Sequence, residues 1–395
     1  MKILKVSDVY FPRVNGVSTS IQTFSEDLIT LGHEVALVAP AYGKGTTSPE
    51  CRRVPARAVP GDPEDRVMSW RALNASLAAL PADIDAVHIH TPFLAHYAGV
   101  RFARARRIPV VATYHTLFEE YLHHYVPILP RALTRPAARW FSREQCNQLD
   151  AIVAPSKAMR EALLEYGVRK PITILPTGLP ASRFAAGNGA EFRRRHGIAQ
   201  GRPLLLFVGR AAHEKNIDFL LRMLPGVLRK APEALLLIAG EGPAVAALKR
   251  VAAGVGVADQ VRFLGYFDRN TELLDCYAAA DVFVFASLTE TQGLVLLEAM
   301  AQGVPVVAIA RMGTIDILEP QRGCRQAPAN ETGFAQVVAR VLSEEATRKR
   351  LGEEARIYAN EWSSAAQARR LAEIYTGLCL GNEVSAAALP LAAGD

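Results

Sequence analysis

The chain lacks any organised cysteine pattern. Its five cysteines (Cys51, Cys146, Cys276, Cys324 and Cys379) are odd in number and scattered, with no C-x-x-C pair. This excludes a disulfide framework and a cysteine-based zinc site, and it suits a reducing compartment. Long uncharged apolar runs are also missing. The richest stretch, residues 294–310, is interrupted by Glu298, so no segment reads as a membrane span. The opening MKILKVSDVYFP carries a short apolar run broken by Asp8 and reads as a first strand, not as a secretory signal. No G-x-G-x-x-G follows that strand, and neither G-x-x-x-x-G-K-[ST] nor G-x-S-x-G occurs. Those absences disfavour a nicotinamide enzyme, a P-loop NTPase and an α/β-hydrolase.

What is present is a soluble-type composition, half hydrophobic and 21% charged, over 395 residues. That length exceeds one ordinary core and predicts two domains. Charge divides unevenly between them. Residues 1–185 hold 22 Lys/Arg against 16 Asp/Glu, a net of +6, whereas residues 186–395 hold 23 of each. The stretch 101–143 alone carries eight arginines and two acids, so one region accounts for the whole basic excess.

Short Val/Ile-rich runs alternate with longer helical patterns. MKILKVS, HEVALVAP, DAVHIHT, PVVATYH and AIVAPS read as strands in the first half, with helices over residues 16–31 and 95–106. PLLLFVGR, ALLLIAGE, VRFLGY, DVFVFAS and PVVAIA repeat the scheme, with helices over 216–229, 244–253, 271–279, 293–301 and 334–342. Near-continuous apolar strands separated by helices predict parallel sheets covered on both faces. The fold class is therefore α/β, two Rossmann-like doubly wound domains facing across a cleft. The boundary is expected within the Gly-, Pro- and charge-rich stretch 177–202. We assign residues 1–185 to an N-terminal acceptor-side domain and 186–362 to a C-terminal nucleotide-sugar domain. Residues 363–380 form a helix and 381–395 a loose tail.

Four segments carry chemistry. ASLTETQGLVLLEAMAQGVPVVA, residues 286–308, runs strand, loop, helix, strand, with Glu290 in the loop and Glu298 eight residues on. Thr289, Glu290, Thr291 and Gly293 suit a helix entrance, and such an entrance is an anion site. Two carboxylates roughly 8–12 Å apart, at about 1.5 Å per residue, could accept hydroxyl hydrogen bonds on either side of a diphosphate. The plainer alternative is that Glu290 caps the helix and Glu298 is solvated or ion-paired. VGRAAHEKNID, residues 208–218, ends a buried strand and offers Arg210 and Lys215, a planar fork and a point charge for phosphate oxygens. NGVS, residues 15–18, places Gly16 after the first strand, where backbone can approach a phosphate or sugar; an ordinary turn glycine is the alternative. ATYHT, residues 112–116, sets His115 at a strand end.

Taken together these segments resemble the retaining glycosyltransferases of the group 1 type (family 4, GT-B fold) over nearly the whole chain. The residues carrying the resemblance are NGV at 15–17, YHT at 114–116, PTG at 176–178, GR and EKN within 209–216, and ETQGLVLLEAMAQGVPVV at 290–307. The resemblance implies that Gly16 lies near the donor phosphates and that His115 touches the transferred sugar. Arg210 and Lys215 would bind the diphosphate and stabilise charge on the departing nucleotide. Glu290 would hold sugar hydroxyls, Glu298 the ribose hydroxyls, and the Gln292–Gly293 backbone the phosphates. It implies no protein nucleophile, no cofactor and no metal, with a UDP-sugar favoured over a GDP-sugar as donor. It also implies a final helix, matched by Trp362 and SSAAQARRLAEIY, that crosses back to the first domain. One departure is RMGT at 311–314, where the family commonly has a Gly-Gly pair. Asp83-Ile84-Asp85 could suggest a metal-dependent transferase but reads as a turn before a strand.

The stretch 118–148 mixes Tyr121, Tyr125, Trp140 and Phe141 with Arg131, Arg135, Arg139 and Arg143 at four-residue spacing, although Pro136 must start or bend a helix there. Arg101, Arg104, Arg106 and Arg107 add to the patch. It suits reversible docking on an anionic membrane surface and resembles the acceptor side of bacterial transferases that glycosylate diacylglycerol or phosphatidylinositol. The expectation is a cytoplasmic, peripherally membrane-associated enzyme with a membrane-lipid acceptor and no nucleic-acid partner. A polysaccharide or lipid-linked glycan acceptor, a non-catalytic nucleotide-sugar-binding protein and a nucleotide-sugar epimerase are the alternatives.

Overall fold

The computed structural model describes residues 1–43, 51–59, 62–116, 131–268 and 272–382. The chain divides into two compact units, Met1–Gly178 together with the helix Ser364–Cys379, and Leu179–Ser363. The division falls inside the stretch 177–202, a few residues before the expected 185.

The first unit is built on a seven-stranded parallel sheet. Its order is Cys51–Val54, Glu34–Pro40, Lys2–Val6, Ala86–Ile89, Val110–Thr113, Ala151–Ala154 and Ile172–Ile174. Chain order reverses between Lys2–Val6 and Ala86–Ile89, which pair directly. This is the topological switch point, where parallel sheets open a crevice at the carboxyl ends of their strands. Ile3, Phe24, Leu28, Val111 and Val153 join Ala368, Leu371 and Tyr375 in one buried cluster. The helix Ser364–Cys379 thus supplies core to the first unit although it is last in sequence. A two-stranded antiparallel ribbon, Ala56–Val59 with Asp62–Met68, was not legible in the sequence.

The second unit has a six-stranded parallel sheet. Its order is Val261–Gly265, Leu235–Ala239, Leu204–Val208, Val282–Phe285, Val306–Ala308 and Cys324–Gln326. Its switch point lies between Leu204–Val208 and Val282–Phe285. All residues of Leu204–Val208, Leu235–Ala239 and Val282–Phe285 are buried, as expected of strands covered on both faces. The helix Glu331–Ser343 starts before the expected 334, because the Asn330 side chain accepts from the Gly333 N–H at 2.8 Å and caps it. The helix Glu345–Asn360 was not anticipated. Its many charges hide the apolar positions Leu351, Ala355, Tyr358 and Ala359, which are the buried ones.

Candidate active site

In the second unit both motif loops leave the two strands that flank the switch point. After Leu204–Val208 the chain passes Gly209 and Arg210 into a 3-10 turn, His213–Lys215. Asn216 ends that turn with φ 54°, and its side-chain amide donates to the Ala286 carbonyl at 3.1 Å. The Ser287 hydroxyl donates to the Glu214 carbonyl at 3.3 Å. These two bonds pin the turn to the end of Val282–Phe285. They bring Lys215 Nζ to 2.6 Å from Glu290 Oε2, with the two side chains 23% and 20% exposed.

Glu290 does not cap the following helix. The helix Leu294–Ala301 begins behind Gly293, whose φ of 97° is the left-handed conformation, and no side chain caps it. The plainer alternative, with Glu290 as the cap, does not hold: Gly293, one of the residues expected at the entrance, makes the entry, and the carboxylate is held by Lys215. Among the described residues no side chain caps this helix, whose N-terminal end carries the partial positive charge of its dipole. Gln292 itself is buried.

Glu298 lies within that helix at 3% exposure, between apolar neighbours. The Tyr277 hydroxyl donates to its Oε2 at 2.8 Å, and Arg183 Nε stands 3.8 Å from its Oε1. Gln302 amide hydrogens bond the Arg183 and Ala185 carbonyls, both at 2.9 Å, and fix the segment that carries Arg183. Glu298 is thus neither solvated nor unpaired. Tyr277 and Arg183 were missed by the sequence reading, since nothing local ties either to position 298.

Two glycines allow the loops to press together. A β-carbon on Gly240 would meet the Gly209 carbonyl oxygen at 2.0 Å, and one on Gly313 would meet the Thr291 carbonyl oxygen at 2.0 Å. Gly313 N–H also donates to the Glu290 carbonyl at 2.9 Å. Within RMGT, contact thus demands the glycine at 313. Met312 before it takes φ 53°, a left-handed conformation costing a non-glycine residue roughly 1–2 kcal/mol.

In the first unit, Gly16 opens the helix Gly16–Thr30. Asn15 caps it, its Oδ1 accepting from the Ser18 N–H at 2.8 Å. A β-carbon on Gly16 would meet nothing within 4 Å, so packing does not require this glycine. His115 follows Val110–Thr113, and its Nε2 lies 3.1 Å from Nδ1 of His90. His90 stacks on His88 with ring centroids 4.2 Å apart. His88 in turn meets the Tyr375 hydroxyl at 2.5 Å and Thr113 Oγ1 at 2.8 Å. The sequence HIH at 88–90 could have signalled this, because strand residues two apart share a face.

Burial, with the Lys5 charge as a lesser cause, pushes His115 down to about 3. His88 and His90 are held well below their usual range, again chiefly by burial. All three rings are neutral at physiological pH. Asp8 accepts from the Thr91 hydroxyl at 2.7 Å and from the Ala95 N–H, and so caps the helix Leu94–Arg106 from a distant strand. Burial raises it to about 6 despite those bonds.

Lys5 is buried, with Nζ bonded to the Ile21 carbonyl at 3.2 Å and the Ser25 hydroxyl at 3.0 Å. Burial lowers it to about 7, partly offset by Asp27. A depressed folded-state value means that its stabilising contribution is full above the unfolded value near 10.5 and is lost as pH falls toward 7. We therefore expect the first unit to lose about 2 kcal/mol between pH 9 and 7.5, at about 1.36 kcal/mol per unit. Urea denaturation of Lys5→Met should show a flatter pH dependence, and an equal slope in both proteins would refute the assignment.

Of the basic patch, the helix Arg131–Cys146 continues through Pro136, which neither starts nor ends it. Thr134, Ala138, Ser142 and Gln145 line its buried side, while Arg135 is exposed and Trp140 is 58% exposed. Arg139 lies over the Tyr166 ring at 5.3 Å, and Arg143 pairs with Glu144 at 3.2 Å. Arg106 lies over Phe102 and donates to the Leu80 carbonyl, a structural role. Arg101, Arg104 and Arg107 are exposed. Tyr121 and Tyr125 lie outside the described residues, as does the Arg131 side chain. Asp83 pairs with Lys2 Nζ at 3.3 Å, and Asp85 accepts the Lys2 N–H at 2.7 Å, so both hold the edge of the first strand. Among the described residues no helix is long and apolar enough to cross a membrane.

Comparison with known proteins follows the same division. The family described as glycosyl transferases group 1 matches residues 189–358, and glycosyltransferase family 4 matches residues 14–183. An alpha-monoglucosyldiacylglycerol synthase of Streptococcus pneumoniae is 34% identical, over 78% of this chain and 71% of that protein. A GDP-mannose-dependent alpha-mannosyltransferase of Mycobacterium tuberculosis is 32% identical, over 84% and 85%. Among solved structures, a sucrose-phosphate synthase from Thermosynechococcus elongatus superposes with a TM-score of 0.78 at 21% identity, over 97% of this chain and 100% of that one. At that identity the likeness speaks for the fold alone.

Proposed function

The chain belongs to the group 1 glycosyltransferases and has their GT-B fold, and from that premise we propose that it moves a hexose from a nucleotide-diphosphate sugar to a membrane glycerolipid with retention of anomeric configuration. The observation that carries this reading is the Lys215–Glu290 pair beside an uncapped helix entrance. Cation, helix N-terminus and carboxylate are three groups that a sugar diphosphate can each satisfy. The diphosphate would take Lys215, Arg210 and the Gln292–Gly293 backbone, where positive charge and N–H donors stabilise the leaving nucleotide. Glu290 would exchange part of its pairing with Lys215 for sugar hydroxyls, and Glu298 would serve the ribose. In the first unit we assign His115 to the sugar and the Gly16 backbone to phosphate. Gly16 supports this by being sterically unnecessary where it stands.

No metal enters this scheme, because the protein's own donors supply the charge stabilisation. The donor is proposed as a UDP-sugar. The mannosyltransferase relative, named for GDP-mannose, makes GDP-sugars the arm that a donor panel must include. Labelled donors offered with lipid extracts and with glycan acceptors test the acceptor, and the anomeric signal of the product tests retention. Transfer to glycan alone, or an inverted product, would overturn the corresponding part.

The lipid acceptor is supported by the diacylglycerol named for the pneumococcal relative and by the helix Arg131–Cys146, with exposed Arg135 and Trp140. Charge reversal of Arg131, Arg135, Arg139 and Arg143 to Glu should weaken binding to anionic liposomes by at least about 10³-fold, since the lost cations alone contribute about 1 kcal/mol each. Unchanged sedimentation with such vesicles would refute the peripheral cytoplasmic-membrane reading.

A further inference from the structure

The proposed roles leave His90 unused, although it is 2% exposed and chemically equipped. Its Nδ1 meets His115 Nε2 at 3.1 Å, and its Nε2 is buried with no hydrogen-bond partner among the described residues. His88 cannot supply one, since both of its ring nitrogens are taken by Tyr375 and Thr113.

Two proton arrangements satisfy the contact between neutral rings. In one, His115 Nε2–H donates to His90 Nδ1. The His90 proton then sits on Nε2, a buried donor with no acceptor. In the other, His90 Nδ1–H donates to His115 Nε2, and the orphan atom of His90 is a bare lone pair. Orphaned buried N–H groups are the rarer kind in folded proteins, and an unmade buried bond carries the full desolvation penalty of its group. A doubly protonated ring is disfavoured because burial and the Lys5 charge both act against it.

We propose that His90 is a positioning residue that donates from Nδ1 to His115 and thereby fixes the proton of His115 on Nδ1. His115 then presents an N–H that is not tied to the protein among the described residues. It meets the sugar as a hydrogen-bond donor to a hydroxyl or ring oxygen, not as a proton acceptor. This consequence rests on the assignment of His115 to the sugar; the proton placement does not.

The test uses the full-length protein without donor. Long-range ¹⁵N–¹H correlation spectra of the histidine rings should show His115 as the Nδ1–H tautomer. The pattern should persist in His90→Asn, whose amide nitrogen replaces Nδ1, and should be lost in His90→Leu. In transfer assays His90→Leu should lower kcat by about 10-fold or more with an unchanged donor KM, and His90→Asn should recover most of it. An Nε2–H tautomer for His115 in the unaltered protein overturns the inference, and needs no variant to fold. Full transfer by His115→Ala, with the Nδ1–H tautomer present in the parent, overturns the sugar assignment and leaves the positioning by His90 standing.

Discussion

Glu290→Ala should leave the protein folded and lower sugar transfer by about 10³-fold, the loss of two charge-assisted hydrogen bonds at roughly 2 kcal/mol each. The two effects separate because of where the carboxylate sits. It pairs with Lys215, both side chains about one-fifth exposed, and such partly solvated pairs contribute at most about 1 kcal/mol to stability. It does not cap the helix Leu294–Ala301, so its removal takes no cap from that helix. Initial rates with labelled donor, beside a thermal denaturation curve, check both halves. Transfer within tenfold of the parent would remove Glu290 from the reaction.

Gly313→Ala should abolish donor binding by moving the same loop from behind. Its new β-carbon would stand 2.0 Å from the Thr291 carbonyl oxygen and 2.5 Å from the Gln292 nitrogen, inside any permitted contact. Either the segment 290–292 shifts, taking with it Glu290 and the backbone proposed to meet the phosphates, or the helix Thr314–Leu318 gives way. Overpacking of this kind costs about 1–3 kcal/mol. The displaced donors should also erase the upward thermal shift that a nucleotide sugar produces in the parent by mass action. Gly254→Ala is the steric control, because its β-carbon meets nothing within 4 Å and it lies outside the proposed site. A full donor-induced shift in Gly313→Ala would show that the loop tolerates the methyl group and that the geometry around Glu290 is not set there.

Periodicity and turn chemistry alone made the alternating strands and helices legible, since both are local records of which residues are covered. Runs such as LLLFV and VFVF can only be strands buried on both faces, and that implies parallel sheets with crossover helices. The loop with Glu290 could be placed at a strand end for the same reason. Sheet order is not local. Only it brings Lys215 to Glu290 across 75 positions and His90 to His115 across 25. It likewise sets Tyr375 beside His88 across 287 positions, so the last helix completes a network begun in the first unit. The same holds for the buried acid at 298. Its charge allowed solvent, an ion pair or a ligand, and only the fold supplies the partners, a tyrosine and an arginine from elsewhere in the chain. Sequence thus determined which segments hide apolar surface. Tertiary structure decided which polar groups face one another, because a hydrogen bond needs two partners and the chain states only one at a time.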